Sequence, residues 1–335
     1  MLTLDVFKGD GFSLAEMTDL INHLPHVPGR LGQLGLFQET PVTTTTVQIE
    51  EKFGQLALLS PTPRGAPGTT LDKTKRNLRT LAVPHFETQD GIMADEVQGV
   101  REEGTTSAVK TVQALVSSRM AEHTLFFDVT LEHLRVGAVK GIVSYNDGST
   151  LNLFTEFGVI QEAEVDFDLD AASPAEGALR KRCDAVVRKI AENLGGVPFS
   201  GVHAMCGDNF WDDLVAHKEV RDTYKNWNAA VELRTGTAYS AMLFGGIMWE
   251  NYRGKVGSTS FFDTDKAHFF PTGVPQLFRT YFAPADYIET VNTLGKPRYA
   301  KQYPMPNGKG VHIDMQMNPL NICTRPKVLM KAKRT

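Results

Sequence analysis

TSAVKTVQALVSSRMAEHTLFFDVTLEHLRVGAVK, residues 106–140, is the stretch that decides the fold. Val112, Leu115, Val116, Met120, His123, Phe127, Leu131 and Leu134 fall within it at the spacing of one helical face. They predict a single helix from about Thr106 to Lys140, roughly 50 Å long at 1.5 Å per residue. Most globular helices are much shorter. One strut of that length is an unusual centre for a compact enzyme.

Downstream, GIVSY and STLNLF flank Asn146-Asp147-Gly148. That pattern predicts a hairpin whose turn takes its positive φ values from the Asp-Gly pair. Residues 162–170, EAEVDFDLD, alternate acids with Ala, Val, Phe and Leu and read as a half-buried strand. Ser173-Pro174-Ala175-Glu176 reads as a capping box opening a helix. Its stripe is Leu179, Cys183, Val186, Val187, Ile190 and Leu194, and Gly195-Gly196 stops it. GVHAM predicts a short strand, residues 208–227 a further helix and LFGGIMW one more strand. The chain closes with VHIDMQMNPLNICTRPKVLMKA, which reads as strands and loops.

Upstream of the strut, VTTTTVQI and FGQLALLS read as strands and PTPRGAPG as a loop. Residues 42–88 thus form a two-stranded excursion, and an isolated ribbon of that kind is marginal in water. It needs another surface, such as a second copy. The first forty residues read as an arm and not as core. Ser13 with Glu16 caps a short helix through Met17, Leu20 and Ile21, Pro25 and Pro28 end it, and Gly29, Gly32 and Gly35 follow.

The 335 residues are 41% hydrophobic and 22% charged, an ordinary globular balance. Net charge is −4, unlike the basic surface expected of a protein that grips nucleic acid throughout. No secretory leader or bilayer-length apolar run is expected, since the longest uncharged stretch, from Thr235 to Trp249, is glycine-interrupted. Cys183, Cys206 and Cys323 are too scattered for a disulfide framework or a zinc cluster.

Candidate chemistry is sparse. Cys206, three residues after His203, invites a thiol nucleophile, but positions three apart on a strand face opposite sides. Glu162, Glu164, Asp166, Asp168 and Asp170 would spread about 6.6 Å apart along a strand, which suits a solvated face better than a cation site. Gly254 to Thr259 lacks phosphate-loop spacing. Basic Arg325, Lys327, Lys331, Lys333 and Arg334 equally suit phosphate contact or solubility. The residues assign no catalytic, cofactor or metal site.

Charge blocks are more telling. Residues 61–80 carry Arg64, Lys73, Lys75, Arg76 and Arg79 against Asp72, a net of +4. Residues 90–103 carry Asp90, Asp95, Glu96, Glu102 and Glu103 against Arg101, a net of −4. Opposed blocks on a ribbon and beside a strut would steer subunits into register. The inter-subunit candidates are therefore Arg64, Lys73, Lys75, Arg76 and Arg79 with Asp95, Glu96, Glu102 and Glu103.

The whole chain resembles the tailed-phage major capsid proteins of the lambda type, the capsid protein E family. The segments carrying the resemblance are FSLAEMTDLINHLPHVPGRLGQLGLF, VTTTTVQIEEKFGQLALLSPTPRG, ADEVQGVREEG, EHLRVGAVKGIVSYNDGSTLNLFTEFG and NPLNICTRPKVLMKA, in that order. The resemblance implies an α+β Hong Kong 97-type capsid fold. Residues 1–40 would be its N-terminal arm and 42–88 its extended loop. Residues 89–168 with 311–335 would form a peripheral domain holding the spine helix at about 106–140, and 170–310 an axial domain.

It also implies a structural virion protein that assembles with itself, as pentamers and hexamers, into an icosahedral head shell around double-stranded DNA. DNA would be packaged without sequence specificity, and no membrane is involved. Portal protein is an implied partner, with scaffold and decoration proteins as optional ones. The host cytoplasm would be the site of assembly. Some capsids of this fold crosslink a loop lysine to a neighbour's asparagine, and Lys73 and Lys75 lie in that region, but the lambda-type resemblance gives no reason to expect it. The alternatives are a fold-related cellular compartment shell and a cysteine-dependent hydrolase using Cys206.

Overall fold

The computed structural model describes residues 29–53, 75–97, 112–171, 174–225, 241–256, 259–306 and 308–335. The Ser13–Glu16 cap, most of the strand expected at 53–60, Ser173, Arg64, Lys73, Glu102 and Glu103 lie outside the described residues.

Along the chain the elements begin with α1 (Arg30–Gln33), β1 (Gln38–Pro41), β2 (Thr46–Phe53), β3 (Lys75–Ala82), β4 (Phe86–Met93) and α2 (Ala94–Val97). The long α3 (Val112–Lys140) leads to β5 (Ile142–Ser144), β6 (Thr150–Asn152), α4 (Leu153–Glu156) and β7 (Val165–Asp166). Next come α5 (Ala178–Leu194), β8 (Gly201–Cys206), α6 (Asp208–Ala216), α7 (Lys218–Lys225), β9 (Ala241–Phe244) and β10 (Ile247–Asn251). Two short strands, β11 (Lys255–Val256) and β12 (Thr259–Ser260), precede β13 (Lys266–Thr272) and β14 (Phe278–Phe282). The chain ends with β15 (Tyr299–Pro304), β16 (Gly310–Met317), β17 (Pro319–Cys323) and β18 (Met330–Lys333). The architecture is α+β, in two compact units.

Unit 1 comprises 1–47, 80–132 and 279–321. Its core is the expected face of α3 laid on the antiparallel sheet β15-β16-β4. Leu115, Val116, Met120, Phe127 and Leu131 meet Ile92, Val311, Ile313, Met315 and Met317. A second sheet, β1-β14-β17, takes in the end of the stretch read as an arm. Leu31 and Phe37, in the stretch read as lying outside any core, are buried. The Leu31 amide donates to Glu132 Oε1 on α3 at 2.8 Å, and a Cβ on Gly29 would strike that carboxylate. β2 does pair, but its partner is β3.

Unit 2 comprises 48–79, 133–278 and 322–335. Its sheet runs β7-β18-β13-β8-β10-β9. The α5 stripe is buried at Leu179, Cys183, Val186, Ile190 and Leu194, with Val187 at its margin. Trp249 sits in an aromatic cluster with Phe167, Phe210 and Phe269. The expected β5–β6 hairpin is present. Of its Asp-Gly pair only Gly148 takes positive φ, at 84°, while Asp147 accepts from the Ser149 amide and hydroxyl.

Four local expectations fail, each for a physical reason. The acid-alternating stretch is a strand only at Val165–Asp166, because Asp168 turns to φ 48° and breaks the ladder. α5 starts at Ala178 and not at the Ser-Pro box. Its free amides on Leu179 and Arg180 are capped by the Glu219 carboxylate, forty residues away. The 208–227 helix is two helices, since His217 is extended and its Nδ1 caps the Glu219 amide of α7. LFGGIMW is a hairpin and not one strand. Gly245 and Gly246 have φ of 60° and 74°, the pair of positive values a two-residue turn demands.

Gly137 shows why α3 tolerates a helix-weakening residue. Its hypothetical Cβ lies 2.7 Å from Val143 Cα and 3.1 Å from Ile142 O. A solvent-facing Gly→Ala change in a helix gains about 1 kcal/mol. Here β5 blocks that gain, and Gly137→Ala should instead cost about 1–3 kcal/mol by overpacking. Urea denaturation checks the sign, and a stabilised variant would contradict the contact.

His268 on β13 gives a pH dependence. Burial, reinforced by Lys140, Lys331 and Lys266, pushes its imidazole down to about 3. An unfolded histidine titrates near 6.5, so between these values the unfolded chain binds the extra proton. Stability is full above pH 6.5 and is lost as pH falls. At pH 5 the loss is about 1–2 kcal/mol. A lower urea midpoint at pH 5 than at pH 7 is expected in the wild type. The difference should shrink in His268→Gln, and an unchanged one would count against this histidine.

Candidate assembly surface

The charged candidates fall into two groups. Arg79 is committed within its own chain. Its guanidinium donates to the Glu156 and Phe157 carbonyls, closing the C-terminal end of α4, and lies 5.7 Å from the centre of the Phe157 ring. Glu96 is likewise engaged, accepting from the Met93 amide and pairing with Arg119 at 3.4 Å. Arg119 also stands 3.7 Å from both Asp90 and Glu122. Asp95 is exposed on α2. Lys75 and Arg76 lie on β3.

The thiols offer no nucleophile. Cys183, Cys206 and Cys323 are free and buried. Burial pushes Cys183 and Cys323 up to about 12 and raises Cys206 further, while Cys206 Sγ donates to the Glu250 carbonyl at 3.2 Å. His203 turns instead to Glu250 Oε2 at 3.1 Å and stacks on Phe270. The hydrolase reading loses its reactive group.

The acidic ladder is dispersed among separate cations. Glu162 meets Lys189, Glu164 meets Lys266, Asp166 meets Lys333, and Asp168 meets Arg182. Among the described residues no group of three or more His, Cys, Asp or Glu is placed to hold a metal ion. Arg334 of the basic C-terminal end pairs with Asp213 and Asp265. Lys255–Val256 and Thr259–Ser260 form a small antiparallel pair where the letters of a phosphate loop had stood. No helix among the described residues is long and apolar enough to cross a membrane.

The surface that stands out carries apolar side chains and was not singled out from sequence. Between β14 and β15, residues 286–295 form a braced loop in unit 1. Thr290 Oγ1 donates to the Ala285 carbonyl at 2.6 Å, and Thr293 Oγ1 donates to the Thr290 carbonyl at 2.8 Å. The Asp286 amide is held by Gln316 Oε1, Lys301 pairs with Glu289 at 2.7 Å, and the Gly295 amide bonds the Val42 carbonyl. On this rigid base Ile288, Val291 and Leu294 stand 92%, 65% and 61% exposed. The three-residue spacing of Ile, Val and Leu among polar neighbours was the available signal. These are three large apolar side chains exposed at three-residue intervals along one braced loop.

The family model described as phage major capsid protein E matches residues 13–334. The chain is 27% identical over 344 residues to the major capsid protein of Pseudomonas phage KPP10, covering 97% of each. It is 25% identical over 355 residues to that of Salmonella phage Felix O1, covering 96% of each. Its fold is similar to the crystal structure of a protein assigned as a prophage capsid protein of E. coli CFT073. That match has a TM-score of 0.61 at 13% identity, over 96% of this chain and 99% of the other.

Proposed function

This chain belongs to the phage major capsid protein E family, and from that premise we propose how its own residues build a shell. It is a structural virion protein with the Hong Kong 97-type capsid fold. Its copies join as pentamers and hexamers into an icosahedral head enclosing double-stranded DNA, with assembly in the host cytoplasm. The observation that carries the account is the ridge of Ile288, Val291 and Leu294, whose exposure costs free energy until a second copy covers it.

Residues 1–40 act as the arm and 42–88 as the extended loop. Residues 89–168 with 311–335 form the peripheral domain, and 170–310 the axial domain. Arg64, Lys73, Lys75 and Arg76 on the loop face Asp95, Glu102 and Glu103 of a neighbour, while Arg79 and Glu96 anchor the two blocks in their own chains. Repetition of one such heterologous contact closes rings when the rotation permits. A net charge of −4 suits a lining that holds DNA without gripping its sequence. Portal protein, and scaffold or decoration proteins where used, complete the partner set.

The test is the double variant Ile288→Asp with Val291→Asp, made alongside wild type with the same partner proteins. Sedimentation velocity should show folded subunits or capsomers in place of shells. Shells in wild-type yield would remove the ridge from the account.

A further inference from the structure

A second apolar surface lies on α3 within unit 1. Leu125, Phe126 and Val129 are 54%, 66% and 43% exposed, although the same helix buries Phe127 and Leu131 on its other side. At 3.6 residues per turn, Leu125, Val129 and Glu132 fall within about 60° of one another, with Phe126 flanking them. Glu132 is only 4% exposed, because the chain entering α1 lies over it. The Leu31 amide donates to its carboxylate at 2.8 Å, and Gly29 is the residue type that fits against it. The covered end of this stripe is therefore where Gly29 and Leu31 meet α3.

We propose that the exposed stripe is a docking site for residues 12–24 of the same chain. Glu132 and Leu125 are seven residues apart on α3, about 10 Å along its axis. The five steps from Leu24 to Gly29 reach about 16 Å when extended, so the segment can lie along the stripe without leaving its own subunit. In sequence, Leu14, Met17, Leu20, Ile21 and Leu24 fall on one helical stripe, and Glu16 and Asp19 fall between them. Tethering through so short a linker gives the chain's own segment a high effective concentration over a second copy's. Glu132 then acts as a positioning residue that fixes where the segment starts.

The experiment uses the full chain with Met17→Cys and Phe126→Cys, and a short bis-maleimide as probe. The three native cysteines are buried, so the engineered thiols are the accessible ones. A crosslink within one chain, with a yield unchanged on dilution, is expected, whether or not shells form. Crosslinks only at dimer mass would overturn own-chain docking, and so would none when each thiol labels separately. As a second reading, Leu125→Asp with Val129→Asp should raise chymotryptic cleavage after Leu20 by about tenfold while leaving the unfolding temperature of unit 1 nearly unchanged. Unaltered cleavage would overturn the proposal as well.

Discussion

Trp249→Ala is expected to lower the unfolding free energy of unit 2 by about 3–5 kcal/mol, the range for removing a fully buried large aromatic. Trp249 is wholly buried on β10 and touches three rings. Its centroid lies 5.6 Å from that of Phe167, 5.8 Å from that of Phe210 and 5.3 Å from that of Phe269. Phe167 precedes α5, Phe210 rides on α6 and Phe269 lies on β13, so one side chain ties three parts of the unit together. Its indole N–H also donates to the Phe244 carbonyl at 3.1 Å. Trp249→Phe keeps most of the packing and gives up that bond, for a smaller loss of about 1–2 kcal/mol. Urea denaturation of unassembled subunits reads both. Equal losses for the two variants would mean that the hydrogen bond, and not the ring cluster, dominates.

Arg298→Ala should be comparably damaging to unit 1. Arg298 and Asp128 form an ion pair with side chains only 7% and 5% exposed. Removing the cation takes from a buried carboxylate its guanidinium partner, at about 3–5 kcal/mol. Replacing both partners, as in Arg298→Met with Asp128→Leu, removes the desolvation problem along with the attraction and should come out near neutral. A single variant as stable as wild type would show that water reaches Asp128 and that the pair is dispensable.

These two sites differ in how far sequence announced them. The α3 face was readable from Leu115 to Leu131 because helical periodicity is a local signal, and its burial against β4, β15 and β16 follows it. The α5 stripe was readable for the same reason. Asp128 was not: nothing near it in sequence points to Arg298, 170 residues on. The start of α5 was misread because its cap is Glu219 and not the adjacent Ser-Pro box. Gly245-Gly246 was read as part of a strand because apolar residues continue on both sides, although two adjacent glycines are what a tight hairpin requires. The acidic ladder had the right faces only from Asp166 to Asp170, since Ala163 is exposed and Glu162 and Glu164 are half-buried, and Asp168 adopts a left-handed conformation that alternation alone does not reveal.

The family was legible mainly by resemblance. Cys206 drew notice because it is chemically distinctive, yet the protein buries it. The apolar ridge at 288–294 is made of ordinary residues, and its meaning depends on exposure, which appears only once Thr290 and Lys301 have braced the loop.

The measurement that bears most directly on the central claim is electron cryomicroscopy of the full chain produced with its portal and any scaffold. Closed icosahedral shells are predicted, with five- and six-membered capsomers and with Ile288, Val291 and Leu294 covered by neighbouring copies. Particles that never form under those conditions would contradict the account, as would shells in which that ridge faces solvent throughout.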